Sequence, residues 1–466
     1  MNTILLIQVF QHLLSVFSFF LGIYLVSDLI RERKAPGSTW GWLLTMTLVP
    51  YLGVPLYITL GGRKLRNKAY QKQGLYHAIP YDKTPTELLP LERILLSSGA
   101  PKKTTDNKIQ ILASGQQAYS EILRLISGAK TNIWITTYIL GNDAIGIEIL
   151  STLTKQAKKG VEVCLLLDGI GSFWVSRFRL RQFKKAGGKI AFFLPLLHIP
   201  FFGHSNLRNH RKIMIVDEKF AISGGMNLAQ EYLSPASNYW IDLCFLIQGS
   251  GVQDLSSIFQ SDWCFASKEP LTKKSDQSPL LDTQKNTQSA LLQVIASGPD
   301  VSGDPLYDSI LSAIFSAQKR IWIATPYFIP DDALAKALEL ACRRGIDVRL
   351  IIPKKSNHLL ADICRGSYLK QLDLVGGQLY FDLHPMMHAK VTLIDDSYAV
   401  VGSANIDMRS LLLNYEVGLF LYSNKDINTI ADWFLHLQQQ AEKGLLKKTL
   451  FADFSDGLGR ILGPML

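Results

Sequence analysis

The chain has 466 residues, 47% hydrophobic and 19% charged, which is room for about three domains of ~150 residues and too apolar for a disordered or collagen-like chain. Lys and Arg exceed Asp and Glu by 49 − 39 = 10, a balance that suits an anionic partner such as nucleic acid, acidic lipid or a phosphate ester. The five cysteines (Cys164, Cys244, Cys264, Cys342, Cys364) form no C-x-x-C pair and read as reduced thiols, not as a disulfide framework or a zinc site.

The first element is an uncharged run from Ile4 to Val26, long enough as a helix for a hydrocarbon layer of ~30 Å. Arg31, Arg33 and Lys34 follow, and then a second uncharged run, Trp40 to Leu60, interrupted by Pro50 and Pro55. These runs predict a two-helix transmembrane hairpin with Trp40, Trp42, Tyr51 and Tyr57 as interface anchors. No cation precedes the first run and no small-residue cleavage site follows it, against a signal peptide. Arg63, Lys64, Arg66, Lys68 and Lys72 at the second exit outnumber the three cations of the hairpin loop, a weak vote for a cytoplasmic body. Residues 1–72 are read as hairpin and basic exit segment.

The body repeats itself. His210-x-Lys212-x4-Asp217-x6-Gly224-x2-Asn227 recurs as His388-x-Lys390-x4-Asp395-x6-Gly402-x2-Asn405, all at an offset of 178. Ile133-Trp134-Ile135 pairs with Ile321-Trp322-Ile323, Tyr138 and Tyr327 follow, and Gly160-Val161-Glu162-Val163 pairs with Gly345-Ile346-Asp347-Val348. In each copy a helix pattern (118–129; 306–317) leads to a strand (132–140; 320–328), then a helix (146–158; 333–344) and an apolar strand (161–167; 348–352). Alternating strands and helices predict α/β units with a mostly parallel sheet. The units span 105–266 and 291–466, and polar residues 267–290 read as the linker.

Each motif is expected on a strand, where i and i+2 share a face, so His210 projects with Lys212 and His388 with Lys390. Asp217 and Asp395 stand an odd step further on and are expected to brace the site. Gly225, Ser403, Asn227 and Asn405 are candidates for substrate binding, as backbone, hydroxyl and amide groups that approach an oxyanion. Two histidines and two lysines at one interface suit a phosphodiester. One neutral imidazole attacks phosphorus, the protonated one serves the leaving alcohol, and the lysines neutralise the non-bridging oxygens, so no metal or cofactor is called for. Asp242 and Glu416 lie at comparable places after the two motifs, as carboxylates able to fix a histidine tautomer. His198, His204 and His384 read as loop residues, and Asp168-Gly169-x-Gly171 as a turn. The apolar stretch Phe192 to Phe202 is a candidate for meeting acyl chains and excluding water, or else a buried strand and turn.

The paired H-x-K-x4-D motifs resemble the phospholipase D superfamily, and the order of hairpin and two units looks like its bacterial cardiolipin synthases. Asn206 to Lys212, Pro326-Tyr327-Phe328-Ile329-Pro330 and Gly402 to Ser410 extend the match. The resemblance implies two phospholipase D-like α/β units about a pseudo-twofold axis, with His210, Lys212, Asp217, His388, Lys390 and Asp395 as the catalytic set. It makes His210 the nucleophile and His388 the acid, with Asp242 supporting His388 and Glu416 supporting His210. Gly225 against Ser403 is a departure that leaves the half-sites chemically unequal. The implied reaction joins two phosphatidylglycerol molecules into cardiolipin and glycerol in a bacterial inner membrane, on a surface of anionic lipid. A hydrolytic phospholipase D is the rival in the same fold. A nuclease is favoured by charge but disfavoured by the hairpin, and a binding protein with dead motifs is disfavoured by intact His and Lys in both copies. A metal-dependent phospholipid synthase would need a D-G-x2-A-R carboxylate cluster, which is absent.

Overall fold

A computed structural model describes residues 8–9, 12–13, 16, 20–27, 36–57, 72, 74–79, 90–194, 207–234, 240–271 and 289–444. Most of the linker, the basic run Arg63 to Lys68, Arg31 to Lys34, His198, His204 and the apolar stretch beyond Leu194 lie outside the described residues. The chain divides into an N-terminal unit, residues 1–69 with 197–206, and a body.

In the N-terminal unit, α1 (Pro36–Leu48) and α2 (Pro50–Leu56) are separated at Val49, whose φ of −134° and ψ of 62° leave the helical region before Pro50. A proline disfavours helical geometry in the residue before it. No helix among the described residues is long and apolar enough to cross a membrane. Two of the expected interface anchors pack inward instead: Trp42 and Tyr57 meet edge to face at 5.3 Å, in a small cluster with Leu25 and Met46. Tyr51 is 93% exposed, and Leu44, Leu48 and Leu52 also face outward.

The first helix described in the body is α3 (Pro90–Ser97). Its first half runs β1 (Thr104–Leu112), α4 (Gly115–Gly128), β2 (Asn132–Thr137), α5 (Ala144–Lys158), β3 (Glu162–Asp168), α6 (Arg177–Lys185), β4 (Lys189–Phe193), β5 (Ile213–Val216), β6 (Phe220–Gly224), α7 (Gln230–Leu233), β7 (Cys244–Gln248) and α8 (Gly251–Ser267). The second runs β8 (Ala290–Ser297), α9 (Pro305–Ser316), β9 (Arg320–Ala324), β10 (Phe328–Ile329), α10 (Asp332–Arg343), β11 (Asp347–Pro353), α11 (Leu359–Leu374), β12 (Gln378–Asp382), β13 (Val391–Ile394), β14 (Tyr398–Gly402), β15 (Ile406–Asp407), α12 (Met408–Leu412), β16 (Glu416–Leu421), α13 (Asn424–Gln440) and β17 (Glu442–Lys443). Local signals account for the helices. Asp143 and Asp331 cap α5 and α10 through the backbone N–H groups of Gly146 and Leu334. α4 buries Ala118, Ile122, Leu125 and Ile126, one stripe at helical spacing.

One sheet crosses both halves in the order β17-β12-β11-β9-β13-β14-β16-β8-β1-β7-β6-β5-β2-β3-β4, and the halves join where β1 pairs antiparallel with β8. It is a mixed sheet, not the mostly parallel one expected. β2, β3 and β4 are parallel, as are β9, β11 and β12, because helices connect them. β5 and β6, and likewise β13 and β14, are antiparallel because only a tight turn joins each pair.

The candidate active site

The ladder of each motif strand begins one residue after the lysine, at Ile213 and Val391, so the histidines and lysines sit on its lead-in and not within it. The opposite half holds that lead-in. His210 donates its backbone N–H to Tyr415 O at 2.9 Å, and Tyr415 N–H donates to Arg208 O at 3.0 Å. In the related place His388 N–H donates to Ile241 O at 2.7 Å, and Ile241 N–H to Met386 O at 2.8 Å. Tyr415 and Ile241 immediately precede Glu416 and Asp242, so each backbone bridge sets a carboxylate beside a histidine of the other half.

Glu416 Oε1 lies 2.9 Å from His210 Nδ1, and Asp242 Oδ2 lies 2.7 Å from His388 Nδ1. A carboxylate on Nδ1 keeps the proton there and leaves the Nε2 lone pair for chemistry. Lys212 Nζ donates to His210 O at 2.7 Å, and Lys390 Nζ packs against the His388 ring and lies 3.5 Å from Asp242. Tyr138 meets the His210 ring edge to face at 5.1 Å. Tyr232 does the same for His388, with Trp240 tilted over that ring at 5.3 Å. The His210 side chain is 13% exposed and that of His388 is 6% exposed, which makes His210 the more approachable.

Burial and crowded cations shape the protonation. Burial pushes the His388 imidazole down to about 3, aided by Lys390. It lowers His210 as well, against the pull of Glu416. Lys212 falls to about 7, first by burial and then by repulsion from Lys390, while Asp242 and Glu416 oppose the shift. Burial also lowers Lys390. Burial alone would raise Asp242, but Lys390 and His388 hold it below the usual range. The site therefore discourages its own positive charge, and an anion between the lysines would offset that repulsion.

Other predicted residues lie elsewhere. Asp217 sits at the far end of β5, about 17 Å along the chain from Lys212 at ~3.3 Å per residue. With φ of 54°, its carboxylate accepts from the N–H groups of Lys130, Thr131 and Asn132. Asp395, at φ 49°, takes those of Gln318, Lys319 and Arg320. Both pin a hairpin turn to the start of the neighbouring antiparallel strand, β2 or β9, and stay clear of the histidines. Ser403, expected to face substrate, donates its hydroxyl to Glu416 and accepts from Val417 N–H at 3.0 Å. Gly225 lies against Asp242, where a Cβ would come within 2.1 Å of Oδ1. Asn227 accepts from Ile139 N–H at 3.2 Å and hydrogen-bonds Tyr232, which ties it into the scaffold. Asn405 is buried and hydrogen-bonds Asp407. The Thr137 hydroxyl donates to Ile139 O and that of Thr325 to Tyr327 O, so Tyr327 corresponds to Ile139, not to Tyr138.

Sequence reasoning missed a buried ion cluster behind His210. Arg211 is fully buried, donates to Asp262 at 2.7 Å and Asp300 at 3.2 Å, and reaches Glu416 O at 3.1 Å. Asn209 donates to Asp262 at 2.9 Å. Lys72, expected among the cations of a lipid-facing exit, is buried between Asp262 and Asp300. The other motif has Ala389 in place of Arg211, a sequence sign, beside Gly225 against Ser403, that the half-sites differ. Asp168 makes the expected turn, accepting from Ile170 N–H and Gly171 N–H, and also accepts from Asn209 N–H at 3.1 Å. His384 rests on Asp382 at 2.8 Å, away from the pair.

A family profile described as cardiolipin synthase, PLD-like domain, matches residues 122–263 and 310–438, and one described as phospholipase D-nuclease N-terminal matches 20–62. The chain is 34% identical to cardiolipin synthase 1 of Bacillus cereus, over 93% of this chain and 90% of that one. It is 31% identical to the major cardiolipin synthase of Bacillus subtilis, over 97% and 99%. Its fold is similar to the crystal structure of phosphatidylserine synthase from Haemophilus influenzae, with a TM-score of 0.62 at 15% identity, covering 81% of this chain and all of that one. With the domain present in two copies and relatives matched over nearly its whole length, the chain belongs to the cardiolipin synthase family of phospholipase D-like enzymes.

Proposed function

We propose that the enzyme transfers a phosphatidyl group from one phosphatidylglycerol to another through a phospho-histidine. The observation that carries this reading is the pair of histidines, each with a carboxylate of the other half on Nδ1 and a lysine beside it. His210 is neutral at pH 7 and attacks phosphorus through Nε2, with Glu416 stabilising the charge that develops on the ring. Lys212 and Lys390 offset the non-bridging oxygens. His388 takes up a proton as the anionic phosphodiester enters and donates it to the departing glycerol oxygen. A second phosphatidylglycerol then enters. His388 accepts its hydroxyl proton, the hydroxyl oxygen bonds to phosphorus, and His210 leaves. Two phosphatidylglycerols thus give cardiolipin and glycerol.

The two N-terminal uncharged runs are the proposed membrane hairpin, a reading supported by the outward-facing Leu44, Leu48, Tyr51 and Leu52. It places the enzyme at a bacterial inner membrane with a cytoplasmic body. Vesicles of labelled phosphatidylglycerol and purified enzyme test the reaction. Cardiolipin and free glycerol are expected in equal amounts, with reversal by excess glycerol. Phosphatidic acid as the main product, without reversal, would make the enzyme a hydrolase.

A further inference from the structure

Away from the histidines, the large apolar side chains that the body exposes include groups at two related places. β3 and β11 are equivalent strands, each parallel to the strand that pairs with its motif strand. After β3, Phe173, Trp174 and Phe178 are 46%, 81% and 68% exposed. After β11, Leu359 and Leu360 are 73% and 52% exposed. The exposed Arg177, Arg179, Arg181, Lys184 and Lys185 all lie on α6, residues 173–189 contain no Asp or Glu, and none of these cations is ion-paired among the described residues. Lys355 is exposed beside the second pair.

Each segment connects to a tyrosine near the histidine pair. Ser172 donates to Tyr138 O at 2.9 Å, and Tyr138 packs on His210. Across the cleft, Tyr327 meets His358 edge to face at 5.5 Å and hydrogen-bonds Asn357, the residues just before Leu359. Tyr138 and Tyr327 are close enough for the charge of one to raise the pKa of the other. Aromatic and aliphatic tips beside a row of cations complement an anionic bilayer, whose headgroups take the cations and whose interface takes the rings.

We propose that Phe173, Trp174 and Phe178, in the turn after β3 and the first turn of α6, and Leu359 and Leu360, at the start of α11, are paired lips that dock on an anionic bilayer and seal the mouth against it. The proposal rests on the reading of the substrate as a bilayer lipid. It assigns the body its own membrane contact, separate from the N-terminal runs. The seal would favour a second lipid over water as acceptor.

Tryptophan emission of the full chain in nanodiscs of phosphatidylglycerol and phosphatidylcholine, with brominated acyl chains as quencher, tests the docking without turnover. Trp174→Phe keeps an aromatic ring but removes that emitter, so the quenchable emission is expected to drop relative to wild type. The charge arm is Arg177→Gln/Arg179→Gln/Arg181→Gln, which is expected to shift Trp174 quenching toward that seen in pure phosphatidylcholine. Equal quenching of wild type and Trp174→Phe overturns the proposal, as does a second copy of the chain covering Trp174 in a cross-linked dimer. In vesicles, Trp174→Ser/Phe178→Ser is expected to raise the apparent KM for phosphatidylglycerol about tenfold more than for a short-chain, dispersed analogue. If wild type makes no cardiolipin from either substrate, the transfer reading fails, while quenching still decides whether the lips dock.

Discussion

The hydroxyl of Ser403 donates to the Glu416 carboxylate that holds His210. It also accepts from Val417 N–H. In the other half the corresponding N–H, of Leu243, donates directly to Asp242 Oδ1 at 2.7 Å, and Gly225 takes the place of the serine. The half-sites thus solve one problem in two ways. Glutamate, a methylene longer, is held through a hydroxyl. Aspartate is held by backbone and needs a residue without a Cβ beside it. Ser403→Ala should lower kcat by roughly tenfold to a hundredfold, the worth of a hydrogen bond to a charged group. Gly225→Ser should lose more, because its Cβ displaces Asp242 from His388. Steady-state kinetics check both, and a Gly225→Ser enzyme as active as wild type would contradict this account.

The histidines act as one unit, and losses within such a unit do not add. His210→Ala and His388→Ala should each abolish turnover, with the double variant little worse. Acid quenching during turnover should leave phosphorus on His210. Finding it on His388 would exchange the two roles.

The basic limb of kcat/KM should fall near pH 7. Catalysis needs neutral His210, whose pKa is lowered, a proton that His388 takes up with the substrate, and cationic Lys212, whose pKa is about 7. Raising the pH therefore leaves His210 competent but strips Lys212 of its charge. Lys212→Arg keeps the charge and should move that limb upward even if the rate is lower. A basic limb unmoved in Lys212→Arg would assign it to another group.

Lysines, not a bound cation, supply the charge in this mechanism, so activity should survive excess chelator. A strict need for added Mg²⁺ or Mn²⁺ in the chemical step would sink the two-histidine scheme.

Lys72 should matter to the body more than to the membrane. Removing one partner of a buried ion cluster costs about 3–5 kcal/mol, because it leaves carboxylates uncompensated. Lys72→Met should therefore lower the unfolding midpoint markedly. A body that begins at Tyr70 should be more stable than one that begins at Gln73.

 Truncation before residue 70 keeps Lys72 and truncation before residue 73 loses it, and the second body should melt earlier. Thermal unfolding of the two bodies checks this, and equal midpoints would remove Lys72 from the core account.

The amino-acid sequence by itself determined the duplication, the α/β character of each half and the His–Lys pairs of the candidate site. His and Lys two apart, followed by an Asp and a glycine turn, are local relations that survive any packing, and helices such as α4 and α5 lie within a few residues of their expected bounds. The sheet's mixed direction was less legible, because parallel and antiparallel strands share one apolar pattern and only the length of the connection separates them. Only the tertiary structure decided which groups meet. By residue pattern alone Asp242 and Glu416 stood merely at comparable places after the two motifs; family resemblance paired them with His388 and His210, and the contacts that join them close over 146 and 206 residues. The same holds for Ser403, which looked like a free hydroxyl until Glu416 took it. Lys72 shows the limit most plainly. In a run of cations it reads as solvated, yet two carboxylates distant in sequence make burial of its charge tolerable. Spacing along a chain records what neighbours in sequence can do together, and burial of charge depends on partners that only folding brings close.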